Sequence, residues 1–270
     1  MSAADTAMSA AVEAMMRDAA ARAIVPRYRT LAAHQIEEKA SDDVVTVADT
    51  EAETILGHGL ARLLPEATIV GEEAAHADPA VLDRLNDAAC WIIDPLDGTN
   101  NFAQGRPPFG VMVALSEYGE AVAGWILDPL SGRLCHAVKG RGAYVNGERI
   151  SARTTGLAPP VAGISLMFVD PAKRQAMMEH IAPHYALVDI PRCAAEQYPR
   201  LVLGVNDVSI FERTLAWDHA AGALFVNEAG GKVARPDGSP YRVDQHLRPG
   251  LIGAASPALW DELAARLDQI

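Results

Sequence analysis

Residues Trp91–Asn100 read WIIDPLDGTN, and this stretch decides both the fold and the chemistry that we predict. Its first three residues form an apolar strand, which Asp94 and Asp97 follow directly. Two acids at the end of a buried strand are costly unless a cation satisfies them. Pro95 biases Asp94 towards an extended backbone, so the chain can turn and bring the two carboxylates together. Hard oxygen ligands of this kind predict a Mg²⁺ or Mn²⁺ site.

The continuation Gly98-Thr99-Asn100 predicts the start of a helix. Gly98 lets the backbone approach a ligand closely, and the N–H groups at a helix N-terminus bind phosphate. Carboxylates for a metal and amides for a phosphate are together what phosphoryl transfer requires. The alternative is an Asp-Gly turn in which Thr99 is only a helix N-cap, and for an isolated D-G-T that alternative would be preferred.

The spacing of the two acids excludes one class of phosphatase. Haloacid-dehalogenase-type phosphatases carry D-x-D-G-T, and the first Asp of that motif is the covalent nucleophile. Here the residue two before Asp97 is Pro95, which cannot attack phosphorus. The spacing D-x-x-D-G-T therefore indicates a metal-activated water as the nucleophile. No Ser-His-Asp or Cys-His arrangement in the sequence competes for this role.

Further acids are expected at the same site. Glu72 and Glu73 follow a predicted strand at residues 68–70, so one of them can lie at a strand end. Asp218 comes at the predicted start of a helix, where its charge also favours the helix dipole. Alone, Asp218 is more often a cap and Glu72 a solvated turn residue. The neighbouring His219 is predicted to lie on the helix surface.

The first half of the chain predicts two helices followed by a largely antiparallel sheet. Apolar residues recur at helical spacing from about residue 5 to 24, and Pro26 ends that pattern. Glu37–Asp43 is polar and is predicted to be a mobile loop or hairpin tip. Thr50 and Glu53 predict a capping box that opens the second helix. Asn146-Gly147 predicts a tight hairpin turn.

The second half alternates strands with helices, which predicts a layered α/β unit. The best candidate for a boundary is Ser151–Pro160, which contains a glycine and two adjacent prolines. We therefore expect an N-terminal α+β half at 1–152 with most of the metal ligands. A C-terminal α/β half at 153–270 would carry the specificity elements, with both halves tightly packed as one globular unit.

Composition excludes some classes of function. The 35 acids against 23 bases give a net charge of −12, which argues against binding a nucleic-acid backbone. It does not exclude a small anionic substrate, because a bound cation reverses the local field. The three cysteines lack C-x-x-C spacing, so neither a structural disulfide nor a thiolate zinc site is expected. No signal-peptide pattern and no membrane-spanning apolar run is present, so we expect a cytoplasmic protein.

Five stretches resemble the sequence elements of the inositol monophosphatase family. In chain order they are Val45–Asp49 (VTVAD), Gly71–Glu73 (GEE), Trp91–Phe102 (WIIDPLDGTNNF), Trp217–Gly222 (WDHAAG) and Glu228–Gly231 (EAGG). The family patterns that they match are V-T-x-x-D, G-E-E, D-P-[IL]-D-G-T-x-N-F, W-D-x-A-[AG]-G and E-A-G-G. The resemblance runs from about residue 39 to 231, and its central element is long and specific.

The resemblance implies a layered fold of mixed α+β and α/β class, an α-β-α-β-α sandwich. It also implies a homodimer and lithium-sensitive, Mg²⁺-dependent hydrolysis of phosphate monoesters, with Mn²⁺ able to substitute. One Mg²⁺ would be held by Glu72, Asp94 and the backbone carbonyl of Leu96. A second would be held by Asp94, Asp97 and Asp218, and Glu72 with waters would hold a weaker third.

The resemblance also implies the catalytic residues, which are Asp49, Thr99 and Glu72. Thr99, hydrogen-bonded to Asp49, would orient the water on the first metal and help to deprotonate it. The second metal would stabilise the leaving alkoxide. Asp97, Gly98 and Thr99 would contact the substrate, with the Gly98 and Thr99 amides holding its phosphate. Lys39 lies in a segment that is a mobile loop near the metals in the family; the alternative is a solvated lysine.

The leaving-group side of the substrate is less constrained by the sequence. The resemblance places Arg192, Cys193, Ala194 and Glu196 there, with Glu212 five residues before Trp217. An acid at 212 would accept hydrogen bonds from polyol hydroxyls or pair with an amine. Inositol 1-phosphate is the family default and histidinol phosphate the main alternative. A 3′(2′),5′-bisphosphate nucleotide, fructose 1,6-bisphosphate and a non-catalytic phosphate-binding relic remain as lesser alternatives.

Overall fold

The part of the chain described by the structure, which is a computed structural model, contains a two-stranded hairpin, a five-stranded sheet, a seven-stranded sheet and eight α-helices. The description covers residues 3–40 and 43–270, without the side chains of residues 3–5, 39, 40 and 43. The helices are α1 (Ala3–Ala19), α2 (Val47–Leu63), α3 (Glu72–Ala77), α4 (Thr99–Ala103), α5 (Pro171–Ala176), α6 (Ala194–Val202), α7 (Ala216–Glu228) and α8 (Pro257–Leu267). One π-helical turn, Ala20–Ile24, extends α1, and another, Met177–Ile181, extends α5.

The first half of the chain forms a hairpin and a seven-stranded sheet. The hairpin pairs β1 (Ile36–Ala40) with β2 (Asp43–Thr46), where a mobile loop or hairpin tip was predicted. The strands of the sheet, in spatial order, are β3 (Thr68–Gly71), β4 (Cys90–Asp97), β5 (Gly110–Glu117), β6 (Glu120–Leu127), β7 (Leu134–Val138), β8 (Gly142–Val145) and β9 (Glu148–Ile150). Only β3 and β4 pair in parallel, so the prediction of a largely antiparallel sheet is confirmed.

The hairpin turn predicted at Asn146-Gly147 joins β8 to β9. Both residues have positive φ, 50° and 81°, as a type I′ turn requires.

The second half forms a five-stranded mixed sheet. Its strands, in spatial order, are β11 (Ala186–Leu187), β10 (Val161–Ile164), β12 (Val208–Phe211), β14 (Leu251–Ala254) and β13 (Lys232–Ala234). Strand β10 runs parallel to both of its neighbours, whereas β14 is antiparallel to both of its own. The segment between β9 and β10 separates the two sheets, and the division at 152/153 stays a prediction.

Successive side chains of β4 point to opposite faces of the seven-stranded sheet and pack into two different cores. Trp91 and Ile93 face the core under α1 and α2, while Cys90 and Ile92 face the core around α6 and α7. A third core packs α8 against the five-stranded sheet. The order of layers is thus α-β-α-β-α, as predicted. Gly222 lets α6 and α7 approach closely, since a Cβ there would lie 1.9 Å from the Tyr198 ring.

The start of α2 differs from the prediction. The helix begins at Val47, and its capping box is formed by Thr46 and Asp49 rather than by Thr50 and Glu53. Both pairs have the same spacing, but β2 ends at Thr46, whose extended backbone suits an N-cap. Over residues 3–40 and 43–270, no helix is both long and apolar enough to cross a membrane.

Candidate active site

The site begins where β4 ends. Between Asp94 and Asp97 the pairing of β4 with β5 is irregular, so these acids leave the regular ladder. Asp94 is buried, and its Oδ1 accepts a hydrogen bond of 3.1 Å from the Leu96 amide. The backbone thereby curls around the first carboxylate and brings the second one towards it.

Gly98 makes the turn from β4 into α4. Its φ is +84°, in the left-handed region, and it is the N-cap of the five-residue helix α4. A Cβ at this position would lie 3.0 Å from the Pro108 carbonyl oxygen and 3.2 Å from the Cys193 Cβ. The backbone here therefore requires glycine on grounds of both conformation and space. Thr99 is the first helical residue, so the alternative in which it is the N-cap is wrong.

Three carboxylates converge beside this turn. Ligand oxygens of Asp94, Asp97 and Asp218 lie within 4.8 Å of one another. Burial, and then repulsion from Glu72, Asp97 and Asp218, raises the pKa of Asp94 well above its usual value. Burial also raises the pKa of Asp97. Such a group of acids, of which Asp94 is buried and the other two are half-buried, fits a divalent cation, which would supply the compensating charge.

Asp97 also orients the helix on the opposite side of the cavity. Its Oδ2 accepts a 2.6 Å hydrogen bond from the Ala195 amide in the first turn of α6. Asp97 thus joins the acidic group to the start of α6, where Cys193 and Ala194 were predicted to contact substrate.

Glu72 is positioned from a distance by α2. It is the first residue of α3 and lines the same cavity as the three aspartates. Glu53 accepts hydrogen bonds from the Glu73 and Ala74 amides, 2.8 and 2.9 Å long, and so anchors the start of α3. A Cβ at Gly71 would collide with that carboxylate, at 2.3 Å. This role of Glu53 was not predicted from the sequence, in which Gly71 directly before the two glutamates was the available signal.

The Thr99–Asp49 pair is present as predicted. The Thr99 hydroxyl lies 2.9 Å from Asp49 Oδ1 and 2.8 Å from the carbonyl oxygen of Leu96. Asp49 Oδ2 accepts hydrogen bonds from the amide and the hydroxyl of Thr46. Burial, with a contribution from the Glu73 charge, raises the pKa of Asp49 from 3.8 to about 7. A carboxyl group with that pKa can accept a proton near neutral pH.

One cavity of about 300 Å³ joins the acids to the predicted leaving-group residues. Arg192, Cys193, Ala194 and Glu212 all line it. Arg192 has a positive φ of 54°, and burial raises the pKa of the Cys193 thiol. Glu196 does not line the cavity, because its carboxylate pairs with Arg133 and Arg200. The placement of Glu196 in the leaving-group region is therefore wrong.

His219 is buried, so its prediction as a helix-surface residue is wrong. Its Nδ1 lies 2.6 Å from the Tyr198 hydroxyl, and its Nε2 lies 2.9 Å from the carbonyl oxygen of Arg213. A carbonyl only accepts, so Nε2 carries the proton and Nδ1 accepts from Tyr198. Burial lowers the pKa of His219 to about 3 and keeps the ring neutral.

Three residues at the leaving-group end were missed by the sequence analysis. Lys173 pairs with Glu212, while Phe168 and Arg213 line the cavity beside it. Arg213 directly follows Glu212, which was predicted to lie at the leaving-group end, and that adjacency was the available signal. The side chain of Lys39 lies outside the described part of the chain, so its predicted place near the metals stays a prediction.

Comparison with known proteins agrees with this geometry. The sequence profile described as "Inositol monophosphatase family" matches residues 4–270. An inositol-1-monophosphatase of Mycobacterium leprae is 35% identical over 235 residues, which cover 84% of this chain and 79% of the relative. A "Nus factor SuhB" of Vibrio cholerae is 31% identical, over 83% of this chain and 82% of the relative.

A solved structure has the same fold. An IMPase of Thermotoga maritima superposes with a TM-score of 0.80 at 25% identity, covering 100% of this chain and 98% of that one.

Proposed function

The chain belongs to the inositol monophosphatase family, whose members are phosphoric monoester hydrolases, and we propose that it hydrolyses small phosphate monoesters with Mg²⁺. One observation carries the proposal. The oxygens of Asp94, Asp97 and Asp218 converge within 4.8 Å, and Thr99 stands beside them bonded to the high-pKa carboxyl of Asp49. The candidate metal ligands thus line one cavity, and the Thr99 hydroxyl connects that cavity to a buried proton acceptor, Asp49.

The metal would be held by this chain's oxygens in two overlapping sets. Glu72, Asp94 and the Leu96 carbonyl form the first set, and Asp94, Asp97 and Asp218 the second. When bound, Mg²⁺ supplies the positive charge that lowers the pKa of water and neutralises the phosphate and the leaving oxygen. A third, weaker ion at Glu72 remains part of the proposal, and so does substitution by Mn²⁺.

Thr99 and Asp49 would manage the proton of the attacking water. The Thr99 hydroxyl has one proton, which it donates to Asp49 or to the Leu96 carbonyl. Its lone pairs would accept a hydrogen bond from the attacking water and so fix the orientation of that water. Asp49 is the sink for the proton because its raised pKa matches neutral pH. The amides of Gly98 and Thr99 at the start of α4 would hold the phosphate oxygens in line with the water.

The first substrate to test is inositol 1-phosphate, the compound named in the description of the M. leprae relative. Histidinol phosphate is the second candidate. Its amine would require the carboxylate of Glu212 to be available for pairing. Lys173 already occupies that carboxylate, at 2.8 and 3.0 Å, and this favours inositol 1-phosphate over histidinol phosphate. Bisphosphate nucleotides and fructose 1,6-bisphosphate complete the set to be screened.

A non-catalytic role is the competing function, and the relative named as a Nus factor is the reason to weigh it. Phosphate release from p-nitrophenyl phosphate and inositol 1-phosphate, with and without Mg²⁺, separates the two functions. Magnesium-dependent release from either compound supports the enzyme. No release from any compound of the screen at millimolar concentration would refute it.

We propose a homodimer that works in the cytoplasm and is inhibited by lithium. The halves 1–152 and 153–270 would supply most metal ligands and the specificity elements, respectively. Sedimentation equilibrium tests the dimer, and inhibition of Mg²⁺-dependent turnover by millimolar LiCl tests the lithium effect.

A further inference from the structure

The acid at the leaving-group end of the cavity is already neutralised. Lys173 Nζ lies 3.0 Å from Oε1 and 2.8 Å from Oε2 of Glu212. The Glu212 side chain is only 15% exposed, so solvent screens this pair less than a surface salt bridge. Glu212 therefore offers little net negative charge to a substrate.

The next residue along the chain, Arg213, presents the opposite charge to the same cavity. Its guanidinium carbon lies 4.4 Å from the centre of the Phe168 ring. Its Nη2 is 3.8 Å from Oδ2 of Asp218, which is beyond hydrogen-bond reach. Within residues 3–40 and 43–270, no group accepts a hydrogen bond from this guanidinium, and Arg213 lines the cavity.

The backbone under Arg213 is held rigidly. The Arg213 carbonyl accepts a hydrogen bond from His219, as described above. The hydroxyl of the next residue, Thr214, lies 2.7 Å from the Arg248 carbonyl and accepts a 3.0 Å bond from Arg235. Arg235 is fully buried, and it also donates to the Gly250 carbonyl. The guanidinium thus extends from a buried polar network rather than from a free loop.

Phe168 is a second part of the arrangement. Its φ is +63°, which is uncommon for a bulky residue, and its ring is 59% exposed in the cavity wall. The ring gives the guanidinium a flat face to stack on, and this leaves the edge of the guanidinium for a ligand.

We propose that Arg213 is a specificity-determining residue that favours leaving groups carrying an anionic group, a carboxylate or a second phosphate. This inference rests on the proposed phosphatase function, and it ranks an ester with an anionic leaving group above inositol 1-phosphate, whose leaving group is neutral. A guanidinium matches the geometry of carboxylate and phosphate oxygens with two parallel hydrogen bonds. Because Arg213 stands 3.8 Å from the proposed metal ligand Asp218, a small metabolite can span both groups.

Matched substrate pairs test this preference. Fructose 1,6-bisphosphate, followed through its product fructose 6-phosphate, is compared with fructose 1-phosphate. In the same way, 3-phosphoglycerate is compared with glycerol 3-phosphate. The full chain with Mg²⁺ should show a kcat/KM at least tenfold higher for the anionic member of one pair or both. The pair that responds tells whether the recognised group is a phosphate or a carboxylate.

Substitution of Arg213 completes the test. In Arg213→Gln the ratio of kcat/KM within the responding pair should fall about 10- to 100-fold, mainly through KM, as expected for a lost charge-assisted hydrogen bond. Arg213→Lys keeps the charge but not the paired donors, and it should lose less. Arg62→Gln is the control, since Arg62 is exposed in the last turn of α2 and does not line the cavity.

The outcomes separate this inference from the function on which it rests. A wild-type ratio near one in both pairs overturns the inference, and so does an equal loss of both members in Arg213→Gln. In either case, Mg²⁺-dependent release of phosphate would still support the proposed phosphatase activity. No release from p-nitrophenyl phosphate or from any of the four esters would instead remove the proposed function itself.

Discussion

The two ends of the cavity are built in different ways. At the metal end, Asp94, Asp97 and Thr99 come from one short stretch of chain, and the neighbouring acids raise one another's pKa. At the leaving-group end, Phe168, Lys173 and Arg213 come from separate segments. Lys173 neutralises Glu212 there, and Arg213 stacks on Phe168. The metal end therefore carries excess negative charge that a cation would neutralise, whereas the other end keeps the positive charge of Arg213 beside a neutralised acid.

The largest effect is expected at Asp94, which belongs to both proposed metal sets. We expect Asp94→Asn to lower kcat by about a thousandfold or more, because one charge is lost from both metal sites. The measurement is phosphate release with saturating Mg²⁺, with circular dichroism to confirm the fold. Asp83→Asn is the control, since Asp83 is exposed and outside the cavity. Near-normal turnover in Asp94→Asn would contradict the ligand assignment.

The second prediction concerns metal-free protein. Because the pKa of folded Asp49 is raised from 3.8 to about 7, its contribution to stability is fully present below pH 4 and is lost as the pH rises to 7. At about 1.4 kcal/mol per pKa unit, the loss is on the order of 4 kcal/mol. His219, with its pKa lowered to about 3, acts in the opposite sense between pH 3 and 6.5.

The comparison of wild type with Asp49→Asn isolates the carboxyl group. Urea unfolding of the two proteins in EDTA should show the variant gaining free energy of unfolding relative to wild type between pH 4 and 7. A difference that is constant with pH would mean that Asp49 titrates normally. Mg²⁺ at pH 7 should stabilise wild type, because the ion neutralises the neighbouring acids.

A smaller loss is expected at Thr99. Thr99→Ala removes the hydroxyl that joins Asp49 to the reacting centre, so kcat should fall about a hundredfold while KM changes little. Thr99→Ser retains the hydroxyl and should recover most of the activity. If Ala and Ser at this position behave alike in steady-state kinetics, the hydroxyl has no part in proton transfer.

The smallest effect is expected at the leaving-group end. Lys173→Met leaves the carboxylate of Glu212 without its partner, so the ratio of kcat/KM for histidinol phosphate over inositol 1-phosphate should rise by roughly five- to tenfold. Lys139→Met is the matched control, because Lys139 also pairs with a glutamate, Glu120, but outside the cavity. An unchanged ratio would show that Glu212 does not contact the leaving group.

The sequence was sufficient for the antiparallel sheet and the acidic stretch because both depend on local patterns, whereas the order of the layers was implied by the family resemblance. Alternation along β4 set its two faces, and the adjacency of Asp94, Asp97 and Thr99 brought these residues together in the structure. The roles of the individual residues in metal binding and catalysis stay predictions.

The errors arose where distant residues decide the outcome. Burial of His219 depends on Tyr198 and on the Arg213 carbonyl, and no local period encodes those contacts. The partner of Glu212 lies 39 residues earlier, at Lys173. The capping box was misplaced because two Thr-x-x-acid patterns follow each other, and only the end of β2 selects the first.

Helix α2 contacts two separate parts of the metal end, Thr99 and the helix α3. Asp49 in its first turn bonds Thr99, and Glu53, one turn later, anchors the helix that begins with Glu72. An α-helix advances about 100° per residue, so a single residue inserted between 49 and 53 would rotate one carboxylate away while the other stayed in place. The angular spacing of Asp49 and Glu53 around α2 therefore fixes the position of the proposed proton acceptor, Asp49, relative to a proposed metal ligand, Glu72.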